Sequence, residues 1–312
     1  MIQAVSKTFF TSLAASDTLK TLASRYGMRG PKSFARRFIA GETIDEAIAA
    51  AREVEAAGMA QTLDLLGESV ANAGEADAAT RTYIDMLARI VDAGIGRNIS
   101  LKLTQLGLTI DRATCVDNLR RILDEAATHD FFVRIDMEDS PFTQVTLDVF
   151  ETMWQQGYRN VGTVLQSCLP RSLDDARRMN ELGARVRLVK GAYKEPRAVA
   201  YQEKAQVDAA FVELTRLLLS HGTYPAIATH DPAMISAARA HAAQNGITPD
   251  RFEFQMLYGI RRDLQAQLTS EGFGMRVYIP FGREWFPYFM RRLGERPANV
   301  GFVVRGILGE RR

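Results

Sequence analysis

Residues 161–189 carry the reading of the fold. They open with the apolar run Val161-Gly162-Thr163-Val164-Leu165, continue through the amphipathic segment Ser172–Leu182, and close with Val186-Arg187-Leu188-Val189. Short, nearly continuous apolar runs flanked by an amphipathic helix predict strands covered on both faces. Strand, helix and strand in succession make a unit whose two strands pair in parallel. The same alternation extends in both directions. Upstream lie the runs Gln61–Leu66, Ile99–Leu103 and Phe131–Met137, and downstream Tyr224–Thr229, Phe252–Met256 and Met275–Ile279. Helical segments such as Ala79–Ala93, Cys115–His129, Gln206–Ser220 and Pro232–Asn245 separate them. Eight such units over roughly 250 residues predict an α/β fold of the (β/α)8 TIM-barrel type. A doubly wound open sheet is the competing architecture, but no GxGxxG follows the first run. Before residue 58 the chain reads as helical. Ala, Arg and Glu recur at helical spacing in Ile44–Ala57, between Gly41 and Gly58. The expected organisation is an N-terminal helical segment, 1–57, leading into a catalytic barrel, 58–312, as one domain overall.

Composition narrows the class. The 312 residues are 46% hydrophobic and 24% charged, which is ordinary for a globular protein that buries a large core. Thirty-nine basic residues against 37 acidic ones leave a net charge of +2, too balanced to suggest a nucleic-acid partner. Cys115 and Cys168 are the only cysteines, which fits a reduced, cytoplasmic chain. Near the N-terminus Thr and Ser interrupt a modest apolar stretch, so neither a signal peptide nor a membrane span is expected.

In a barrel the chemistry sits at the C-terminal ends of the strands. Reading only those ends collects Lys102, Asp136, Glu138, Gln166, Arg187, Lys190, Thr229, His230 and Tyr278. A charge inside an apolar run is costly unless it is paired or functional, which singles out Lys102, Arg187 and Lys190. Lys102 could instead face water on a half-exposed strand. Lys190 serves equally well as a Schiff-base lysine or as an anion clamp. His230 has no second histidine at a strand end, so no metal site is expected. Asp136 and Glu138 lack the separate placement of a glycosidase pair. Beyond the last run, Trp285, Tyr288, Arg291 and Arg292 share one helix. Adjacent arginines there either grip a carboxylate or form a solvated basic face. The cations Lys102, Arg187, Lys190, Arg291 and Arg292 give the mouth a positive balance and point to an anionic ligand. Two classes stay open from the residues alone: a redox enzyme holding a phosphate-bearing cofactor, and a Schiff-base aldolase or lyase built on Lys190.

The strand-end strings resemble the proline dehydrogenase family. They are Leu65-Leu66-Gly67-Glu68, Ser100-Leu101-Lys102-Leu103, Ile135-Asp136-Met137-Glu138, Val164-Leu165-Gln166-Ser167, Arg187-Leu188-Val189-Lys190-Gly191-Ala192-Tyr193, Ala228-Thr229-His230, Phe254-Gln255-Met256-Leu257-Tyr258-Gly259 and Tyr288-Phe289-Met290-Arg291-Arg292-Leu293. They occur in barrel order, and the chain resembles the monofunctional bacterial members. Lys194 and Asp231 depart from the Trp and Asn often found in the fused members.

The resemblance implies a last helix lying over the strand mouths and FAD held without a Rossmann motif. It implies oxidation of L-proline to Δ1-pyrroline-5-carboxylate by hydride transfer from C5 to flavin N5. Electrons would pass to a membrane quinone during a peripheral visit to the inner face of the cell membrane. The product would be handed to a pyrroline-5-carboxylate dehydrogenase. By the same resemblance Gln166, Arg187, Val189, Lys190, Gly191, Ala192, Thr229, His230, Arg292 and Glu295 bind the cofactor. Lys102, Arg291 and Arg292 hold the substrate carboxylate, and Asp136 orients the cations. Ala192, Tyr193, Leu257, Tyr278 and Tyr288 wall the ring. Glu68 pairs with Arg291 as a gate.

Overall fold

The computed structural model describes residues 33–67 and 69–295, the side chains of Phe34 and of residues 293–295 excepted. Eight parallel strands close into a barrel in chain order. They are β1 (Ala60–Leu65), β2 (Asn98–Leu101), β3 (Phe132–Ile135), β4 (Val161–Gln166), β5 (Val186–Val189), β6 (Ala226–Ala228), β7 (Glu253–Leu257) and β8 (Gly274–Phe281). The helices are α1 (Ile44–Ala56), α2 (Ala73–Ala93), α3 (Arg112–Thr128), α4 (Ser140–Gln155), α5 (Ser172–Leu182), α6 (Lys204–His221), α7 (Pro232–Gln244), α8 (Arg262–Ser270) and α9 (Trp285–Glu295). The eight predicted runs all become strands. Several are shorter than their apolar stretch. β2 stops at Leu101, and Leu103–Leu106 turns into a 3-10 helix, so Lys102 sits just past the strand. α4 was less legible, since Thr143, Val145, Thr146 and Val149 weaken its helical signal.

Local chemistry starts several helices where the sequence places a cap. Thr43 accepts from the Glu46 amide while Glu46 reaches back, a capping box that begins α1. Asn72, Asp111 and Asp231 accept from amides in the first turns of α2, α3 and α7. The apolar faces of these helices pack on the outside of the barrel in one continuous core. No helix among the described residues is long and apolar enough to cross a membrane. Cys115 and Cys168 are buried thiols and form no disulfide.

The last helix breaks the repeating pattern. α9 does not pack beside β8; its Tyr288, Arg291 and Arg292 line the mouth with the strand ends. α1 fills the outer slot instead, packing on β1 and β8 through Ala47, Ala51 and Val54. Of the N-terminal segment read as helical, residues 44–56 are helix. Residues 33–43 hold only a 3-10 turn, Phe34–Arg37, and an extended connection. The first 32 residues lie outside the described part.

That connection crosses the mouth side of the barrel as a strap. Ala40 donates to the Pro280 carbonyl at 2.9 Å, and Gly282 donates to the Gly41 carbonyl at 2.9 Å. Ala35, Phe38 and Ile39 form a small core with Trp285, Phe286, Phe289 and Met290 of α9. The Trp285 indole donates to Glu42 at 3.1 Å. Gly259 sits under the strap with φ +71°, and a Cβ there would lie 1.6 Å from the Arg37 carbonyl oxygen. Gly259→Ala must therefore displace the strap or strain the turn. We expect a loss of about 1–3 kcal/mol in denaturant unfolding, with a raised proline KM because α9 rides on the strap. Wild-type stability and KM would show that the strap does not hold the helix.

Candidate functional site

At the centre of the mouth is a buried ionic cluster. Lys102, just past β2, donates to Asp64 of β1 at 3.0 Å and lies 3.8 Å from Asp136, which follows β3. Arg187 of β5 donates from Nη1 to Asp136 at 2.6 Å and from Nη2 to Ser100 Oγ at 3.0 Å. Tyr278 of β8 donates its hydroxyl to the other Asp136 oxygen at 2.7 Å, and its ring lies under the Arg187 guanidinium, 5.3 Å from the centroid. Asp64, Lys102, Asp136, Arg187 and Tyr278 belong to five different strands or the residues just past them, so only barrel closure brings them together. Burial opposes the charge on Lys102, but Asp64 and Asp136 outweigh it and lift the ammonium well above the usual lysine range. Burial pushes the Asp64 carboxyl up, against the pull of Lys102. Burial and the neighbouring Asp136 carboxylate push the Tyr278 phenol well above its ordinary value, so it serves as a hydrogen-bond donor.

Around this cluster opens a cavity of about 460 Å³. Every sequence-predicted site residue whose side chain is described lines it. From the strands and their loops come Lys102, Asp136, Gln166, Arg187, Val189, Lys190, Gly191, Ala192, Tyr193, Thr229, His230, Leu257 and Tyr278; from α9 come Tyr288, Arg291 and Arg292. Glu68 and the side chain of Glu295 lie outside the described residues. The arginine pair is not a solvated face: Arg292 is buried and stacks over the Tyr288 ring at 5.1 Å, and Arg291 lies over the Tyr193 ring at 5.9 Å. Nor does Lys102 face water, with only 7% of its surface exposed.

The expected positive balance of the mouth holds among the described lining residues but is smaller than the cations alone suggest. Lys102 and Arg187 are matched by Asp64 and Asp136, and Lys190 by Asp208 at 2.5 Å and Asp231 at 2.7 Å. Lys204 also pairs with Asp208. Asp64 escaped the sequence reading although the rule that selected Lys102 applies to it, since it is a charge inside an apolar run. Glu253 and Arg276, paired inside the barrel at 2.8 Å, could have been found the same way. Asp208, on α6, had no such signal.

Part of the cavity wall is set by backbone as much as by side chains. Leu257 donates its amide to His230 Nε2 at 2.9 Å, so that nitrogen is an acceptor. Gly191 has φ +108°, and a Cβ there would fall 2.4 Å from the Cys168 sulfur, so only glycine lets the chain pass. Gln166 donates to the Glu138 carbonyl at 3.2 Å, while its Oε1 is buried with no hydrogen-bond partner among the described residues. An orphaned buried acceptor beside a cavity fits a ligand that brings an N–H group. No group of three or more His, Cys, Asp or Glu side chains among the described residues is placed to hold a metal ion.

Comparison with known proteins gives one consistent family. The family model described as proline dehydrogenase matches residues 47–305. The chain is 42% identical over 299 residues to proline dehydrogenase 1 of Bacillus subtilis (strain 168), covering 96% of this chain and 98% of that protein. It is 43% identical over 280 residues to a proline dehydrogenase of Deinococcus radiodurans, covering 88% and 90%. Among solved structures it is similar to proline utilization A (PutA) from Bdellovibrio bacteriovorus inactivated by N-propargylglycine, with TM-score 0.80 and 27% identity. That match covers 89% of this chain and 34% of the other, so the chain spans about a third of the PutA length.

Proposed function

This chain belongs to the proline dehydrogenase family, which oxidises proline in the first step of its catabolism, and from that premise we propose an FAD-dependent conversion of L-proline to Δ1-pyrroline-5-carboxylate. The observation that carries the proposal is the convergence of Lys102, Arg187, Asp136, Arg291 and Arg292 on one cavity with apolar walls. Electrons leave to a membrane quinone during a peripheral visit to the membrane, and the product passes to a pyrroline-5-carboxylate dehydrogenase.

The residues present fit a flavin at its ring end. Gln166 Oε1, a buried acceptor without a partner among the described residues, would take an N–H of the pyrimidine edge, and Arg187 would hold the reacting part of the ring. Val189, Lys190, Gly191, Ala192, Thr229, His230, Arg292 and Glu295 would hold the rest. Asp231 and Asp208 already pair with the Lys190 ammonium, so a bound cofactor phosphate would share that cation with two carboxylates. This is the local consequence of aspartate at 231. Bound FAD would accept at N5 the hydride that leaves proline C5.

The protein contributes binding and orientation. Lys102, Arg291 and Arg292 hold the carboxylate through charge-assisted bonds. Asp64 and Asp136 fix Lys102, and Asp136 also fixes Arg187 and Tyr278. Ala192, Tyr193, Leu257, Tyr278 and Tyr288 exclude water from the ring. Holding the reacting carbon in one place supplies much of the acceleration. Glu68 and Arg291 act as the gate.

The Schiff-base alternative is disfavoured, because such lysines are activated by desolvation or a neighbouring cation, whereas Lys190 is held by two carboxylates. The test is spectroscopic. The purified protein is expected to be yellow, and L-proline bleaches it without added nicotinamide. Borohydride with a keto acid or aldehyde traps no adduct on Lys190 by mass spectrometry. A colourless protein that FAD cannot reconstitute, or a trapped adduct, would overturn the proposal.

A further inference from the structure

A line of side chains connects Arg187 to the interior of the barrel beneath the cavity, and the chemistry above does not use it. Arg276 of β8 donates to Glu253 of β7 from Nε at 2.8 Å and from Nη2 at 3.0 Å. Gln255 Nε2 donates to the same carboxylate at 2.5 Å. Gln255 Oε1 then accepts from Arg187 Nε at 2.6 Å. Glu253 and Gln255 are two residues apart on β7, so they share its inward face. Both are almost fully buried.

The chemistry of the ends determines the middle. A carboxylate only accepts and a guanidinium only donates. Between them an amide has one orientation that makes both bonds. Burial works against the charge on Glu253, but Arg276 outweighs it and holds the carboxyl below its usual range. With Gln255 so turned, Arg187 is held at all three nitrogens: Nε by Gln255, Nη1 by Asp136 and Nη2 by Ser100. Removing the first contact leaves a buried N–H without an acceptor and lets the plane rotate. We propose that Gln255, oriented by Glu253, is the positioning residue that sets the plane of Arg187 at the reacting face of the cavity. Its consequence for catalysis rests on the proposed role of Arg187 beside the flavin.

The test uses the holoenzyme and a double-mutant cycle. In Gln255→Met, kcat is expected to fall roughly ten- to hundredfold with little change in proline KM, since Lys102, Arg291 and Arg292 keep their surroundings. The flavin midpoint potential should move to more negative values, because the cation nearest the reduced ring loses its fixed position. Adding Gln255→Met to Arg187→Met should change neither quantity further. That double variant removes both partners and stays measurable even if Gln255→Met alone folds poorly. A third readout needs neither flavin nor proline. The Arg187 Nε–H signal in nitrogen-15 NMR, identified by its loss in Arg187→Met, should exchange slowly in wild type and rapidly in Gln255→Met. A protected signal in Gln255→Met, wild-type kcat and potential, or losses that multiply in the double variant would overturn the inference. Protection lost without any flavin reduction by proline would instead refute the proposed function.

Discussion

Lys102→Met is expected to destabilise the protein by about 3–5 kcal/mol and to remove proline oxidation, because it strands a buried carboxylate and deletes a substrate contact at once. The substitution keeps the volume and deletes the ammonium. Asp64, with none of its surface exposed, then loses the cation 3.0 Å away. Burial and Asp136 both raise the Asp64 carboxyl, and Lys102 no longer opposes them. A folded-state value above the unfolded one means that folding takes up a proton. The wild-type carboxyl is already raised, so the deficit against wild type should grow as pH rises from that value to the still higher one of the variant, and shrink on acidification. In wild type Lys102 has the other raised value. Its contribution is fully present below about 10.4 and is lost only as pH rises through its higher folded value. Denaturant unfolding at several pH values checks both signs. Asp64→Leu combined with Lys102→Met should recover part of the stability but none of the activity. Equal stability of Lys102→Met and wild type at neutral pH would mean that the buried pair is not formed.

Arg292→Met is expected to lower kcat/KM for proline by at least tenfold with the flavin still bound. Losing one charge-assisted bond in a desolvated site costs about 1.5–3 kcal/mol. Arg292 is buried over the Tyr288 ring, so methionine retains much of the packing and removes the charge. The loss should appear mainly in KM if the arginine holds the carboxylate equally in substrate and transition state. Unchanged kinetics would place the carboxylate elsewhere.

Several elements were legible because their signal is local. The runs 61–66 and 161–165 read as strands from a few adjacent side chains, and Thr43 with Glu46 starts a helix within one turn. Lys102 and Arg187 stood out as charges in apolar strand contexts. The same rule, applied to Asp64, Glu253 and Arg276, would have exposed more charges of the interior network, though not the uncharged Gln255 that links them. The lengths of the strands were less readable, since β2 ends where its neighbours stop pairing and not where the apolar run ends.

What the sequence by itself determined is the alternation of strands and helices, hence a parallel barrel, and the set of side chains at its mouth. Periodicity and strand-end position are properties of neighbouring residues, and neighbours in the chain are enough to read them. The tertiary structure decided which charges meet. Asp64 with Lys102, Asp136 with Arg187 and Tyr278, Gln255 with Arg187, and Asp231 with Lys190 are separated by between 38 and 142 positions in the chain. It also decided that α1 takes the outer slot, and it brings the arginine pair of α9, whose place over the mouth only the family resemblance implied, to the strand ends. The physical reason is that the strength of a buried ion pair depends on separation in space and on desolvation, and closing the barrel sets both at once.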